Sequence, residues 1–173
     1  YEYDQLGRMI MKKVPGAGEV RMVYDARDRL VLTQDANMRG QQKWMYTTYD
    51  ELNRPVSTGL ITDPVNYNNH TAHLNSAYGS TSYPNLSNYT FEELTRSFYN
   101  DYSWLSQYGN PLSSTYNSSF NTYFQTASNS QWPYAQSNTQ SSNLKGVVSG
   151  SRTKVLGTGT YLYMVSFYDE KGR

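Results

Sequence analysis

Several residue groups in this chain have types and spacings that could do chemistry. His70 and His73 (His-x-x-His) could present two ring nitrogens to a metal on one helical turn, but no Cys, Asp or Glu lies close enough in sequence to complete a site. They read as a surface or loop pair, and no cofactor is expected. Asp35-x-Asn37-x-Arg39-Gly40 begins like a calcium loop. Its fifth position is Arg39 and its twelfth is Tyr46, where a bidentate Glu belongs, so it reads as a turn. The paired carboxylates Glu92-Glu93 and Asp169-Glu170 are sequence neighbours, which in a strand point to opposite faces. Serine is plentiful, yet no Gly-x-Ser-x-Gly elbow occurs. Gly16-Ala17-Gly18 and Gly157-Thr158-Gly159 lack the remainder of a phosphate-binding pattern. No catalytic residue is assigned, and the expectation is that the chain is not an enzyme. Trp104, Trp132 and Tyr134 stand among Asn, Gln and Ser, a setting that suits stacking on sugar rings and suits local core packing equally.

One grouping recurs. Tyr3-Asp4-Gln5-Leu6-Gly7-Arg8 returns as Tyr24-Asp25-Ala26-Arg27-Asp28-Arg29, as Tyr49-Asp50-Glu51-Leu52-Asn53-Arg54 and as Tyr168-Asp169-Glu170-Lys171-Gly172-Arg173. Tyr, Asp and Arg side by side could form a binding pair. The fifth slot argues for geometry instead: Gly7, Asp28, Asn53 and Gly172 belong to the residue types that best tolerate a left-handed backbone. A type I turn followed by one left-handed residue is a common hairpin connection. The Asp would accept backbone N–H groups two or three residues on. Arg would open the outgoing strand beside it.

The elements that position these groups follow from composition and pattern. Fifteen basic residues stand against 14 acidic ones, so no general attraction to nucleic acid is implied. The chain has no Cys, and no apolar run approaches the roughly 20 residues of a membrane span. Its 18 tyrosines favour strands. Residues 1–62 read as a meander of hairpins: strands over Met9–Val14, around Val20–Tyr24, Leu30–Thr33, Lys43–Tyr49 and Pro55–Ile61, with turns between. Tyr3, Tyr24 and Tyr49 are 21 and 25 residues apart, a repeat-like spacing. Residues 63–144 form an uncharged aromatic and polar insertion. Pro64 to Phe91 and Tyr102 to Leu144 hold no Asp, Glu, Lys or Arg. Short helices are expected near Asn68–Ala77 and Ser118–Ala127, and a strand with a worn copy of the phrase over Leu94–Tyr102. Four glycosylation sequons, at Asn69, Asn85, Asn88 and Asn117, are of the number such a composition produces by chance. Residues 145–173 return to strands at Gly146–Ser149, Thr153–Leu156 and Tyr161–Tyr168, with Gly150-Ser151 as a turn. The chain starts at Tyr1 and stops on a repeat phrase, which reads as a fragment of a longer protein.

The tandem Tyr-Asp-x-x-Gly-Arg phrase resembles that of the YD-repeat (RHS-repeat) proteins. The wording around Lys13–Gly18 and Arg27–Asp35 is similar to the large Bacteroidetes members. The resemblance covers the first third and the last residues well, and the insertion poorly. It implies a mainly β fold: an antiparallel meander forming part of a β-spiral shell. It implies a secreted or cell-surface protein whose shell encloses or presents a C-terminal toxin or effector. It also implies carbohydrate binding as an alternative role. The expected partners are neighbouring repeats and the downstream core of the same polypeptide, a glycan, and further copies through exposed strand edges.

Overall fold

The computed structural model describes residues 1–108 and 112–173. The chain is mainly β, and every strand runs antiparallel to its neighbour, in chain order. The strands are β1 (Glu2–Tyr3), β2 (Met9–Val14), β3 (Gly18–Tyr24), β4 (Leu30–Gln34), β5 (Lys43–Tyr49), β6 (Pro55–Thr62), β7 (Thr90–Tyr99), β8 (Val148–Lys154) and β9 (Tyr161–Val165). The helices are short: α1 (Ala36–Gly40), α2 (His70–Tyr78) and α3 (Trp104–Gln107), with 3-10 turns at Leu86–Asn88 and Ser118–Tyr123. Two compact units divide the chain, Tyr1–Arg96 and Ser97–Arg173, and β7 runs through the boundary.

In the first unit β6 alternates strictly. Ser57, Gly59, Ile61 and the following Asp63 are buried, while the residues between them are not. This period of two turns one face to the core. Val23, Val31, Leu32, Trp44, Tyr46, Ile61 and Ala77 form that core. Gly59 is a steric necessity: a Cβ there would sit 2.8 Å from the Tyr46 ring and 2.9 Å from the Glu93 Cα, with the Glu92 carbonyl nearer still. Helix α2 covers this core. Asn69 Oδ1 caps it by accepting from Ala72 N–H at 3.1 Å, and His73 and Ala77 are its buried residues.

The second unit is built on Phe98, Trp104 and Leu105. The Phe98 and Trp104 rings stack at 4.0 Å, with planes 2° apart. Trp104 Nε1–H donates to Ser149 Oγ at 3.2 Å. The tryptophan ring lies against Gly150, whose missing Cβ leaves the room. Gly150-Ser151 is therefore the middle of one strand, β8, and not a turn between two. The segment 112–147 has little regular structure. Its side chains satisfy the backbone instead. Asn129 Oδ1 accepts from Gln131 N–H and Trp132 N–H, Gln136 Oε1 from Gln125 N–H, and Gln140 Oε1 from Tyr116 N–H.

Other differences from the sequence reading have local causes. Asp35–Gly40 is a capped helix, because Asp35 Oδ1 accepts from Met38 N–H at 2.7 Å. The strand β7 divides the long uncharged region, and the last strand stops at Val165. The second expected helix is a 3-10 turn ending at Tyr123.

Candidate functional site

The four Tyr-Asp turns share one hydrogen-bond pattern. Asp4 N–H donates to the Arg8 carbonyl at 3.0 Å, and Gly7 N–H to the Asp4 carbonyl at 3.0 Å. Asp4 Oδ1 accepts from Leu6 N–H and Arg8 N–H, both at 2.9 Å, and Oδ2 from Arg8 Nε–H at 2.6 Å. The Asp25–Arg29, Asp50–Arg54 and Asp169–Arg173 turns repeat every one of these contacts. The carboxylate thus accepts two and four residues on, where the sequence reading placed the bonds two or three on. The reason is the fifth slot: Gly7 (φ 76°), Asp28 (58°), Asn53 (63°) and Gly172 (75°) all carry the left-handed backbone that swings Arg N–H back over the Asp. A register shift precedes the first three turns, as expected where an extra residue enters one strand.

Electrostatics match the geometry. Burial pushes the Asp4 and Asp50 carboxyls up, but the N–H groups and guanidinium of Arg8 and Arg54, with Leu6 and Leu52 N–H, together hold both below the usual value. Arg173 N–H, outweighing burial, does the same for Asp169. Asp25 is fully buried and meets Arg29 at 2.5 Å.

Arg8 and Arg29 also reach beyond their own turns. Arg8 Nη1 donates to the Asp25 carbonyl at 3.1 Å and to Asp28 Oδ1 at 2.7 Å, with its guanidinium 5.2 Å from the Tyr24 ring. Arg29 Nη1 reaches the Asp50 carbonyl at 3.4 Å and Asn53 Oδ1 at 3.0 Å, 4.9 Å from the Tyr49 ring. Tyr49 completes the link by donating its hydroxyl to the Leu30 carbonyl at 3.0 Å. Arg27 adds a second donor to Asn53 Oδ1 and to the Glu51 carbonyl. In its first two copies the hexapeptide is thus both a turn and a coupler to the next turn. The worn copy departs from this: at Tyr99-Asn100 the positive φ falls on Asn100, the second position, and residues 100–147 stand where a turn would.

The remaining candidates separate. Trp104 is 4% exposed and packed in the second unit's core, so burial corrects its reading as a glycan contact. Trp132 and Tyr134 are 59% and 85% exposed. The histidines are not surface residues. His73 is buried 4.6 Å from the Trp44 ring, its Nδ1 lies 2.6 Å from the Tyr83 hydroxyl, and its Nε2 lies 3.5 Å from Asp63 Oδ2. Burial pushes His73 down, against the opposing pull of Asp63, and pushes the Tyr83 phenol well up. His70 accompanies it, with Nε2 3.0 Å from the Met22 carbonyl. This Asp63–His73–Tyr83 chain and the Tyr46–Ser57–Glu93–Arg96 chain went unseen in the sequence. Apart from Glu93 and Arg96, linked members lie 10 to 36 residues apart, and only the strand register and the placement of α2 bring them together. Among the described residues, no group of three or more His, Cys, Asp or Glu could hold a metal ion. No helix among them is long and apolar enough to cross a membrane.

Two concavities flank Tyr-Asp turns. One of about 370 Å³ lies beside Tyr3, Asp4 and Arg8, against Leu74, Asn75 and Tyr78 of α2. The other, about 270 Å³, lies beside Tyr168, Asp169 and Arg173, with Tyr116, Phe124 and Phe167 around it. No protein-family model, curated protein or solved structure matches the chain.

Proposed function

We propose that this chain is a non-enzymatic structural segment: a run of Tyr-Asp repeats in a large secreted or cell-surface protein of the YD-repeat type. In this reading it contributes wall to a β-shell that encloses or presents a C-terminal effector. The observation that carries it is the arginine relay. Arg8 and Arg29 each fasten their own turn and then the next one, through the same atoms. A contact that couples each unit to its neighbour stabilises an array by nearest-neighbour terms. Such a device builds surface in one direction; it does not gather groups around a ligand. The resemblance of the phrase supplies the remainder, namely the shell, its cargo and its location outside the cell.

Electron microscopy of the natural polypeptide that carries this segment tests the proposal. Residues 1–62 should lie within a continuous β-wall around internal density, and the enclosed part should resist added protease. An isolated domain on a flexible tether, enclosing nothing, would sink it.

A second reading, a carbohydrate- or partner-binding surface, is favoured by the two exposed rings of Trp132 and Tyr134 in an uncharged polar segment. A glycan array with Trp132→Ala as control decides it, and no signal at high concentration excludes it.

A further inference from the structure

Within the second unit, two stretches far apart in sequence meet in the geometry of a Tyr-Asp turn. Asn100 N–H donates to the Val147 carbonyl at 3.2 Å, the bond that Asp25 N–H makes to the Arg29 carbonyl at 3.0 Å. Gly146, just before Val147, has φ 83°, the left-handed backbone of Gly7, Asp28, Asn53 and Gly172. Asn100 Oδ1 accepts from Gly146 N–H at 2.9 Å, as each Asp Oδ1 accepts from the returning backbone of its own turn. The next phrase then closes on this turn as Tyr49 closes on the one before it. The Tyr168 hydroxyl donates to the Val148 carbonyl at 2.8 Å, and that of Tyr49 to the Leu30 carbonyl at 3.0 Å. Tyr99, Asn100, Gly146 and Val147 thus hold the first, second, fifth and sixth positions of the phrase, with Asn for Asp and Val for Arg. Two details differ. Asn100 has φ 73°, and its side-chain oxygen takes the fifth-slot N–H, which the Asp carbonyl accepts in the intact turns.

The repeat length agrees. Tyr99 and Tyr168 lie 69 residues apart. With residues 101–145 exchanged for the two that separate the second and fifth slots elsewhere, they would lie 26 apart, beside 21 and 25 in the first repeats. Residues 63–89 leave the sheet in a similar way, between Thr62 and Thr90, which are paired directly.

We infer that residues 101–145 are a guest segment spliced into a further Tyr-Asp turn, whose halves, Asn100 and Gly146-Val147, clasp its neck. The ends of a turn lie close together, so a segment with adjacent ends enters there without moving the flanking strands. The clasp is neutral where the intact turns have an ion pair, and the start of the guest adds hold of its own. The Tyr102 hydroxyl donates to the Ser166 carbonyl at 2.7 Å, and Trp104 Nε1–H to Ser149 Oγ. The exposed rings of Trp132 and Tyr134 belong to the guest, so any contact they make is separable from the repeat that carries them.

Restoring the phrase tests the splice. Asn100→Asp and Val147→Arg are made singly and together, and unfolding in denaturant is followed by fluorescence and circular dichroism. In a spliced turn the two introduced side chains meet as Asp25 and Arg29 do. The double variant should then exceed the combined effect of the single ones about tenfold in the folding equilibrium constant, as a charge-assisted pair does. Where the double variant does not fold, two measurements on the neck decide. Gly146→Ala should lower the constant about fivefold, as Gly7→Ala does, because nothing stands within 4 Å of a Cβ at either site and the cost is that of the left-handed backbone. A scalar coupling across the hydrogen bond from Asn100 N–H to the Val147 carbonyl should appear in the NMR spectrum of the wild-type chain. A folded double variant whose two substitutions act independently overturns the inference. So does Gly146→Ala at no cost, or the absence of that coupling.

Discussion

The charged hairpins of residues 1–62 and the uncharged segment of residues 112–144 solve the same problem in different ways. Each must pair the backbone groups that turning leaves over. The hairpins use one carboxylate and one guanidinium per turn. Asp25 alone takes Arg27 N–H, Arg29 N–H and the Arg29 side chain, and Arg29 goes on to the next turn. The uncharged segment uses many neutral side chains, each closing a short local loop: Ser113 to Thr115, Asn117 to Ser119, Asn129 to Gln131, Ser137 to Thr139, Asn143 to Lys145. A charged residue with spare donors can span two units. Most neutral amides and hydroxyls of this segment are spent within two or three residues, although Gln136 and Gln140 reach back to Gln125 and Tyr116. Regular, propagating structure therefore tracks the Asp/Arg turns, and irregular structure tracks the Asn/Ser/Gln run.

The largest test of this contrast removes the buried carboxylate. Asp25→Ala leaves Arg29 without its partner and two N–H groups without an acceptor, and should cost about 3–5 kcal/mol in chemical denaturation. Asn129→Ala, which strips a comparable number of local bonds from the exposed segment, should cost about 1 kcal/mol or less. Equal costs would erase the distinction.

Gly59→Ala should follow, at about 1–3 kcal/mol, because the new methyl meets β7 backbone and the Tyr46 ring. The loss should appear in the melting of the first unit. Gly7→Ala, where no atom is near, isolates the backbone cost of the left-handed slot at about 1 kcal/mol. Asn53→Gly keeps the left-handed backbone and removes only the acceptor for Arg27 and Arg29, so about 1 kcal/mol is expected. If that substitution is neutral, the relay adds nothing to the turn.

Acid titration separates two further contributions by sign. His73 and His70 have folded pKa values below 6.5, so the unfolded chain takes up protons first as pH falls, and stability should decline below about pH 6.5. The groups facing His73 are Trp44, Tyr83, Asp63, Asn66 and His70. His73→Gln should flatten this first decline. Asp4, Asp50 and Asp169 have folded pKa values below 3.8. The stability they contribute is present above that value and is lost as pH falls through the lower folded ones. Denaturation midpoints measured from pH 8 to pH 2 should show both declines. A single acid transition would contradict the assignment.

Much of the hairpin region was legible from the residues. The strands Met9–Val14 and Lys43–Tyr49 coincide with their sequence pattern, and Gly7, Asp28, Asn53 and Gly172 have the left-handed backbone their types favour. These features rest on alternation and on contacts within four residues, which a sequence displays directly. Trp104 shows the limit. Apart from Leu105 its near neighbours in sequence are mostly polar, yet it is core, because Phe98 lies parallel to it and Gly150, 46 residues away, makes room. Only the adjacent Leu105 sets it apart in sequence from the exposed Trp132, which stands between Gln131 and Pro133.

His73 fell on the wrong side of the same limit: only the crossing of α2 over Trp44 decides its burial. What the sequence by itself determined was where the chain turns and with what handedness, since a carboxylate and a left-handed residue three positions apart act locally. What only the tertiary structure decided was which turn each arginine reaches next, and which aromatic rings are covered. Those partners lie 17 to 46 residues away and meet only through the register of the strands.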